Sequence, residues 1–166
     1  DRYSIQVYEE TGDIAPGEQV IPTGQALSVE LGPGLLKSIY DGVQRPLDVL
    51  MSHYGNFVVR GAESPALDRQ KKWAFTPVVK KGDEVIGGDV VGTIQETDLI
   101  LHKVMVPPGV SGKVKTIASG EFTVEETVAA LETENGDFEV KLIQRWPVRL
   151  ARPRKQKLPP EIPLIT

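Results

Sequence analysis

At 166 residues, with 40% hydrophobic and 25% charged side chains, the chain has the make-up of an ordinary globular protein, with room for one sizeable domain or two small ones. Its net charge of −4 gives no global argument for nucleic acid or an anionic membrane, and the lack of cysteine excludes disulfides and thiolate metal sites. No apolar run approaches the ~18 residues that a membrane span requires, and no signal peptide opens the chain.

The 16 glycines and 13 prolines predict many turns and short elements, because helices tolerate neither residue well. The first residue is Asp1 rather than Met, so the chain reads as an excerpt. Tyr3, Ile5 and Val7 alternate as on a strand. Ile14-Ala15-Pro16-Gly17-Glu18 has turn chemistry. Gln19-Val20-Ile21 and Ala26-Leu27-Ser28-Val29-Glu30-Leu31 read as further strands, the closing strands of a barrel. Gly32-Pro33-Gly34 ends the last one. Pro33 suits the first position of a helix, and Leu35, Leu36, Ile39 and Tyr40 share one helical face, with Gly42 as a left-handed cap. A second short helix is predicted over Leu47–Tyr54, ending at Gly55-Asn56.

Residues 57–72 carry no clear pattern. From Trp73 the texture is that of short strands and turns. Lys81-Gly82-Asp83-Glu84-Val85 followed by Val90-Val91-Gly92-Thr93-Ile94 resembles, with a one-residue slip, Ser119-Gly120-Glu121-Phe122-Thr123-Val124 followed by Val128-Ala129-Ala130-Leu131. Two such strand–turn–strand copies bury apolar faces that neither buries alone, as in the barrel-sandwich hybrid of biotinyl and lipoyl carrier domains. Asn135-Gly136, between Leu131–Glu134 and Asp137–Ile143, predicts a hairpin with a type I′ turn. After Trp146-Pro147 the chain becomes Arg- and Pro-rich, and Pro153, Pro159, Pro160 and Pro163 predict an extended run.

Four kinds of chemistry have partial signals, each with a plainer reading beside it. A phosphate-cradling loop needs Gly-x-x-x-x-Gly-Lys-Ser/Thr between a strand and a helix; no such string occurs, and Gly82, Gly87, Gly88 and Gly92 read as turn glycines. A carrier lysine at the hairpin between two half-repeats places Lys103 as the candidate. The carrier patterns Ala-Met-Lys-Met and Asp-Lys-Ala are absent, and the apolar neighbours of Lys103 make a solvated strand lysine the plainer reading. His53 and His102 lie about 50 residues apart with no ligand spacing near either, and a satisfied or surface imidazole is the plainer reading. Arg145, Arg149, Arg152, Arg154, Lys155 and Lys157, with Trp146 among them, present a basic run without an acid; a solvated connector is the plainer reading.

The stretch Ser28–Asp48, with Gly42-Val43-Gln44-Arg45-Pro46-Leu47, resembles the catalytic A subunit of archaeal and vacuolar-type rotary ATPases. So do, in the same order, Pro65-Ala66-Leu67-Asp68-Arg69, Lys72-Trp73-Ala74-Phe75-Thr76-Pro77, Gly82–Val85 to Gly92–Thr97, and Val106-Pro107-Pro108-Gly109-Val110-Ser111-Gly112. Gln144–Arg149 and Lys157–Thr166 complete the series. The resemblance, joined to the patterns above, implies a mainly β fold: a barrel-sandwich-hybrid-like module, residual N-terminal barrel strands and a few short helices. It divides the chain into the end of the barrel (1–31), a short-helix connector (32–54), the non-homologous or bulge region (55–143, with its β-sandwich core at about 76–134) and an extended linker (144–166) toward a nucleotide-binding domain. It implies a non-catalytic interaction region of a proton- or sodium-translocating ATP synthase/ATPase. Its expected partners are the peripheral stalk and neighbouring A and B subunits, at a cytoplasmic position peripheral to the membrane, with no nucleic acid and no membrane insertion. No catalytic, cofactor or metal residue is assigned in this stretch; ATP and Mg belong to the full-length parent. A biotinyl- or lipoyl-like carrier domain modified at Lys103 is the alternative.

Overall fold

The computed structural model describes residues 5–9, 11–57 and 59–154. Among these residues the regular structure is mostly short strands: β1 (Ser28–Leu31), β2 (Trp73–Pro77), β3 (Glu84–Ile86), β4 (Val90–Gln95), β5 (Leu101–Met105), β6 (Ser111–Ile117), β7 (Gly120–Phe122), β8 (Thr127–Thr133), β9 (Gly136–Lys141) and β10 (Gln144–Pro147). A helix, α1 (Leu47–Tyr54), and a 3-10 turn at Leu35–Lys37 complete the inventory. The fold is mainly β, as expected.

Eight strands form two antiparallel four-stranded sheets, ordered β5-β4-β2-β7 and β3-β6-β8-β9. The order exposes an internal symmetry. β2-β3-β4-β5 and β6-β7-β8-β9 are two copies of one unit, and each copy sends its short second strand into the other copy's sheet: β3 pairs with β6, and β7 with β2. The repeat read from the sequence is this exchange. The copies share details. Each has a register shift at its third strand, at Val91 in one and Val128 in the other. Each caps the turn before that strand with a carboxylate three residues on: Ile86 N donates to Asp89 Oδ2 (2.9 Å) and Thr123 N to Glu126 Oε2 (2.6 Å).

The core runs from Leu67 to Leu142 and includes Phe75, Val91, Ile94, Val104, Val114, Val128, Leu131 and Val140. Buried and outward residues alternate along β2, as a half-buried sheet requires. Two glycines permit close approach. A Cβ on Gly92 would stand 2.2 Å from the Phe75 ring, and one on Gly112 would stand 2.3 Å from the Glu132 carbonyl oxygen.

Several sequence expectations change. Tyr3 and Ser4 lie outside the described residues, and Ile5–Tyr8 and Gln19–Ile21 form no strand. Alternation alone does not satisfy backbone N–H and C=O groups; a strand needs a ladder partner, and these residues have none among the described ones. The strand expected from Ala26 begins at Ser28 and pairs with β10. The helix expected to join Leu35 to Tyr40 shrinks to the 3-10 turn, because Ser38 is extended (φ −112°, ψ 149°). A local alternative takes over. The Asp41 carboxylate accepts from Val43 N (3.0 Å) and Arg45 N (2.8 Å), side-chain bonds that compete with a helix, and the backbone Leu47 N donates to Ile39 O (2.9 Å). The positive φ of this loop is at Gln44 (65°), not at Gly42.

The α1 helix stands where expected, with Gly55 N donating to Met51 O at 2.9 Å as its cap. The Asn135-Gly136 hairpin also forms, but with a different turn. Thr133 pairs with Gly136, so Glu134 and Asn135 make the loop. Gly136 carries the positive φ (107°) and neither loop residue does, which rules out type I′. Gln144–Pro147, the head of the expected linker, is strand β10. Lys155, Lys157, Pro159, Pro160, Pro163 and the rest of 155–166 lie outside the described residues.

Candidate functional site

The glycines weighed for phosphate binding sit in strand connections or, for Gly92, inside a strand. Gly82 turns β2 into β3, its N–H donating to Val114 O at 2.8 Å, and Gly88 N donates to Val106 O at 2.9 Å between β3 and β4. Gly92 lies within β4 beneath the Phe75 ring. Each of these glycines leads to a strand, whereas a phosphate loop leads into a helix N-terminus.

Lys103 is an exposed residue inside β5, paired with Thr93 of β4. The connection between the two copies, where a carrier lysine would sit, is instead Val106-Pro107-Pro108-Gly109-Val110. The histidines are on separate elements. His53 is in the last turn of α1. His102, in β5, has Nδ1 3.8 Å from Glu96 Oε2; burial lowers its pKa from the ordinary value, and the Glu96 charge opposes this. No group of three metal-ligating acids or histidines exists among the described residues.

Within the described part of the basic run, Arg145 and Arg152 lie against the ribbon made by β1 and β10. Arg152 stacks 4.6 Å from the Trp146 ring centroid and donates to Gln144 Oε1 (3.3 Å), while Trp146 Nε1 donates to Leu150 O (2.6 Å). Arg145 Nη2 lies 3.6 Å from Glu30 Oε1. These contacts draw Arg145 and Arg152 into intramolecular partners rather than into one cationic face.

Two arrangements were not read from the sequence. The first is a polar clamp. Glu30 on β1 accepts from Arg69 Nη2 at 2.5 Å, and Arg69 Nε forms an ion pair at 2.8 Å with Oε1 of Glu125, in the turn between β7 and β8. Gln44 completes it, donating Nε2 to Glu30 O and accepting from Glu30 N, both at 2.7 Å. Glu30 thus holds the connector through its backbone and Arg69 through its carboxylate, and Arg69 in turn reaches the sandwich at Glu125. Beside it, Arg45 bonds Asp41 Oδ2 (2.7 Å), Glu9 Oε1 (3.0 Å) and Ala62 O (2.9 Å). Burial pushes the Asp41 carboxyl up, but the Arg45 and Val43 donors outweigh it and hold its pKa below the ordinary value. A cleft of about 530 Å³ opens between the connector and residues 63–71, floored by Tyr40, Leu67 and Trp73.

The second is the β4–β5 hairpin, Glu96–Ile100, whose Leu99 is 95% exposed. No local periodicity marks it. Comparing the two half-repeats does, because the other copy closes the same hairpin with Glu134-Asn135 alone.

The chain matches the ATP synthase alpha/beta subunit barrel-sandwich domain over residues 64–149. It is 58% identical over its whole length to the A subunit of the A-type ATP synthase of Pyrococcus abyssi, of which it covers 16%. It is also 56% identical to the V-type ATP synthase alpha chain of Thermoanaerobacter sp. strain X514, covering 28%. It is 58% identical to the A subunit of the A-type ATP synthase of Thermococcus kodakarensis, covering 29%. In these two cases, too, the whole chain is matched. The chain therefore spans less than a third of the length of these relatives.

Proposed function

We propose, since this chain belongs to the ATP synthase alpha/beta subunit barrel-sandwich family, that it is a non-catalytic contact region of a rotary ATP synthase or ATPase A subunit. Its work is to meet the peripheral stalk, the element that holds the catalytic head against the turning rotor. ATP and Mg binding, ATP synthesis or hydrolysis and the coupled movement of protons or sodium ions belong in this reading to parts of the subunit beyond these residues. Neighbouring A and B subunits are the other partners, and the assembly sits in the cytoplasm, peripheral to the membrane.

One observation supports this role above the others: the Glu30–Arg69–Glu125 clamp. A surface that resists torque must be rigidly mounted, and the clamp ties the strand ribbon to Arg69 through a partly buried pair, which the more exposed Glu125 extends to the sandwich. Partly buried pairs hold geometry better than exposed ones, whose long side chains exchange freely with water.

The experiment is hydrogen exchange on the assembled enzyme with and without its stalk. Loss of protection in the sandwich on stalk removal is the expected result. Exchange across residues 64–149 that does not change with the stalk would overturn the proposal.

A further inference from the structure

We infer that the β4–β5 hairpin is the part of the sandwich that enters the partner, with Leu99 as an apolar knob that seats in a socket rimmed by basic residues. This rests on the contact role proposed above and names the element that performs it.

The two half-repeats share strand order, the register shift at Val91 and Val128, and the carboxylate-capped turns at Asp89 and Glu126. One copy therefore serves as a control for what the fold itself requires of the other. The second copy joins its last two strands through Glu134-Asn135. The first copy uses Glu96–Ile100 for the same connection, and the additional residues lift Leu99 into solvent. Closure of the sheet does not account for them.

The hairpin is also held by its own hydrogen bonds. Glu96 N donates to Ile100 O (3.0 Å) and Ile100 N to Thr97 O (3.2 Å). Thr97 Oγ1 accepts from Leu99 N (3.2 Å) and Ile100 N (3.1 Å), and Gln95 Nε2 donates to Thr97 O (2.5 Å). The Glu96 side chain, only 1% exposed, is buried at the base, with Oε2 3.8 Å from His102 Nδ1. The backbone donors and acceptors of the tip are thus largely engaged within it, and what it offers outward is the Leu99 side chain. A leucine held ready on a fixed turn loses little entropy on binding, the economy that makes preorganised contacts effective.

The chemistry of the partner follows from the rim. Asp98 stands exposed next to Leu99, and Gln95–Leu101 contains no basic residue. Leu101 faces outward at the start of β5, two residues from the knob. An apolar pocket edged by Lys or Arg complements this tip, and an acidic surface repels it.

The test is binding of the 166-residue chain to purified peripheral-stalk subunits, measured by surface-immobilised titration on wild type, Leu99→Ser and Ile86→Ser. A further variant replaces residues 96–100 with the Glu-Asn pair that closes the other copy. Ile86 is 63% exposed and belongs to β3, so it controls for the loss of any surface hydrophobe. Leu99→Ser and the shortened hairpin are expected to weaken binding by about tenfold or more, with Ile86→Ser unchanged and the thermal unfolding of Leu99→Ser and Ile86→Ser as in wild type. Wild-type binding that Leu99→Ser leaves intact overturns the inference while the stalk reading stands. A wild-type chain that does not bind overturns both.

Discussion

Arg69 donates to Glu30 at 2.5 Å and, through a second nitrogen, forms an ion pair with Glu125 at 2.8 Å. Glu30 belongs to β1 and Glu125 to the turn between β7 and β8, so one guanidinium joins two parts of the chain that share no sheet.

Replacing Arg69 with Ala leaves Glu30 without its main counter-charge. Breaking a fully buried pair costs about 3–5 kcal/mol. The side chains here are 22% and 15% exposed, so screening reduces the expected loss to about 1–3 kcal/mol. Glu125→Ala removes the exposed arm alone and is expected to cost less than about 1 kcal/mol. Urea unfolding of the two variants checks the order; equal losses would mean the clamp does not work through Glu30.

Gly92→Ala places a methyl 2.2 Å from the Phe75 ring. The ring and strand must shift, at a cost of about 1–3 kcal/mol. Gly42→Ala meets open space and an ordinary backbone angle, so its effect is expected within about 0.5 kcal/mol. Thermal denaturation separates the two.

The turn at Glu134-Asn135 gives a similar contrast. Gly136→Ala forces a Cβ onto a backbone with φ of 107° and is expected to cost about 1 kcal/mol or more. Asn135→Ala is expected to stay within about 0.5 kcal/mol, because Asn135 does not occupy the left-handed region that a type I′ turn would demand of it. A larger loss at Asn135 than at Gly136 would restore the type I′ geometry.

His102 gives a pH dependence. Burial lowers its pKa in the folded state below the ordinary 6.5, against the pull of Glu96. The unfolded chain then binds the proton more readily, so this contribution to stability is fully present above about pH 6.5 and is lost as pH falls through the folded pKa. Denaturant midpoints measured from pH 7.5 to 5 are expected to fall for wild type and to fall less for His102→Gln. Equal slopes would remove His102 from the account.

The sandwich was legible in the sequence because each half-repeat carries its own period-two pattern and turn glycines. Val85, Ile94 and Leu131, from the two repeated strand–turn–strand strings, are buried in the core. The helix expected from Leu35 to Tyr40 misled because apolar spacing does not register the competing bonds that Asp41 makes to Val43 and Arg45. The strand at Gln19–Ile21 misled because alternation is a local signal, whereas a ladder requires a partner. The pairing of β1 with β10 escaped for the opposite reason: Gln144–Pro147 sits in a Pro- and Arg-rich setting, and its partner lies far away in the chain. Neither the Glu30 clamp nor the Leu99 hairpin carries a motif; the hairpin shows only when the two half-repeats are compared.

The most direct measurement of the contact role is a titration of the isotopically labelled 166-residue chain with unlabelled peripheral-stalk subunits, followed by amide chemical shifts. A single site taken out of a multi-point assembly binds weakly. Saturable shifts are therefore expected, with Kd in the range of about 10 μM to 1 mM, confined to the sandwich between residues 64 and 149. Spectra that stay unchanged at about 1 mM stalk protein would contradict the contact role.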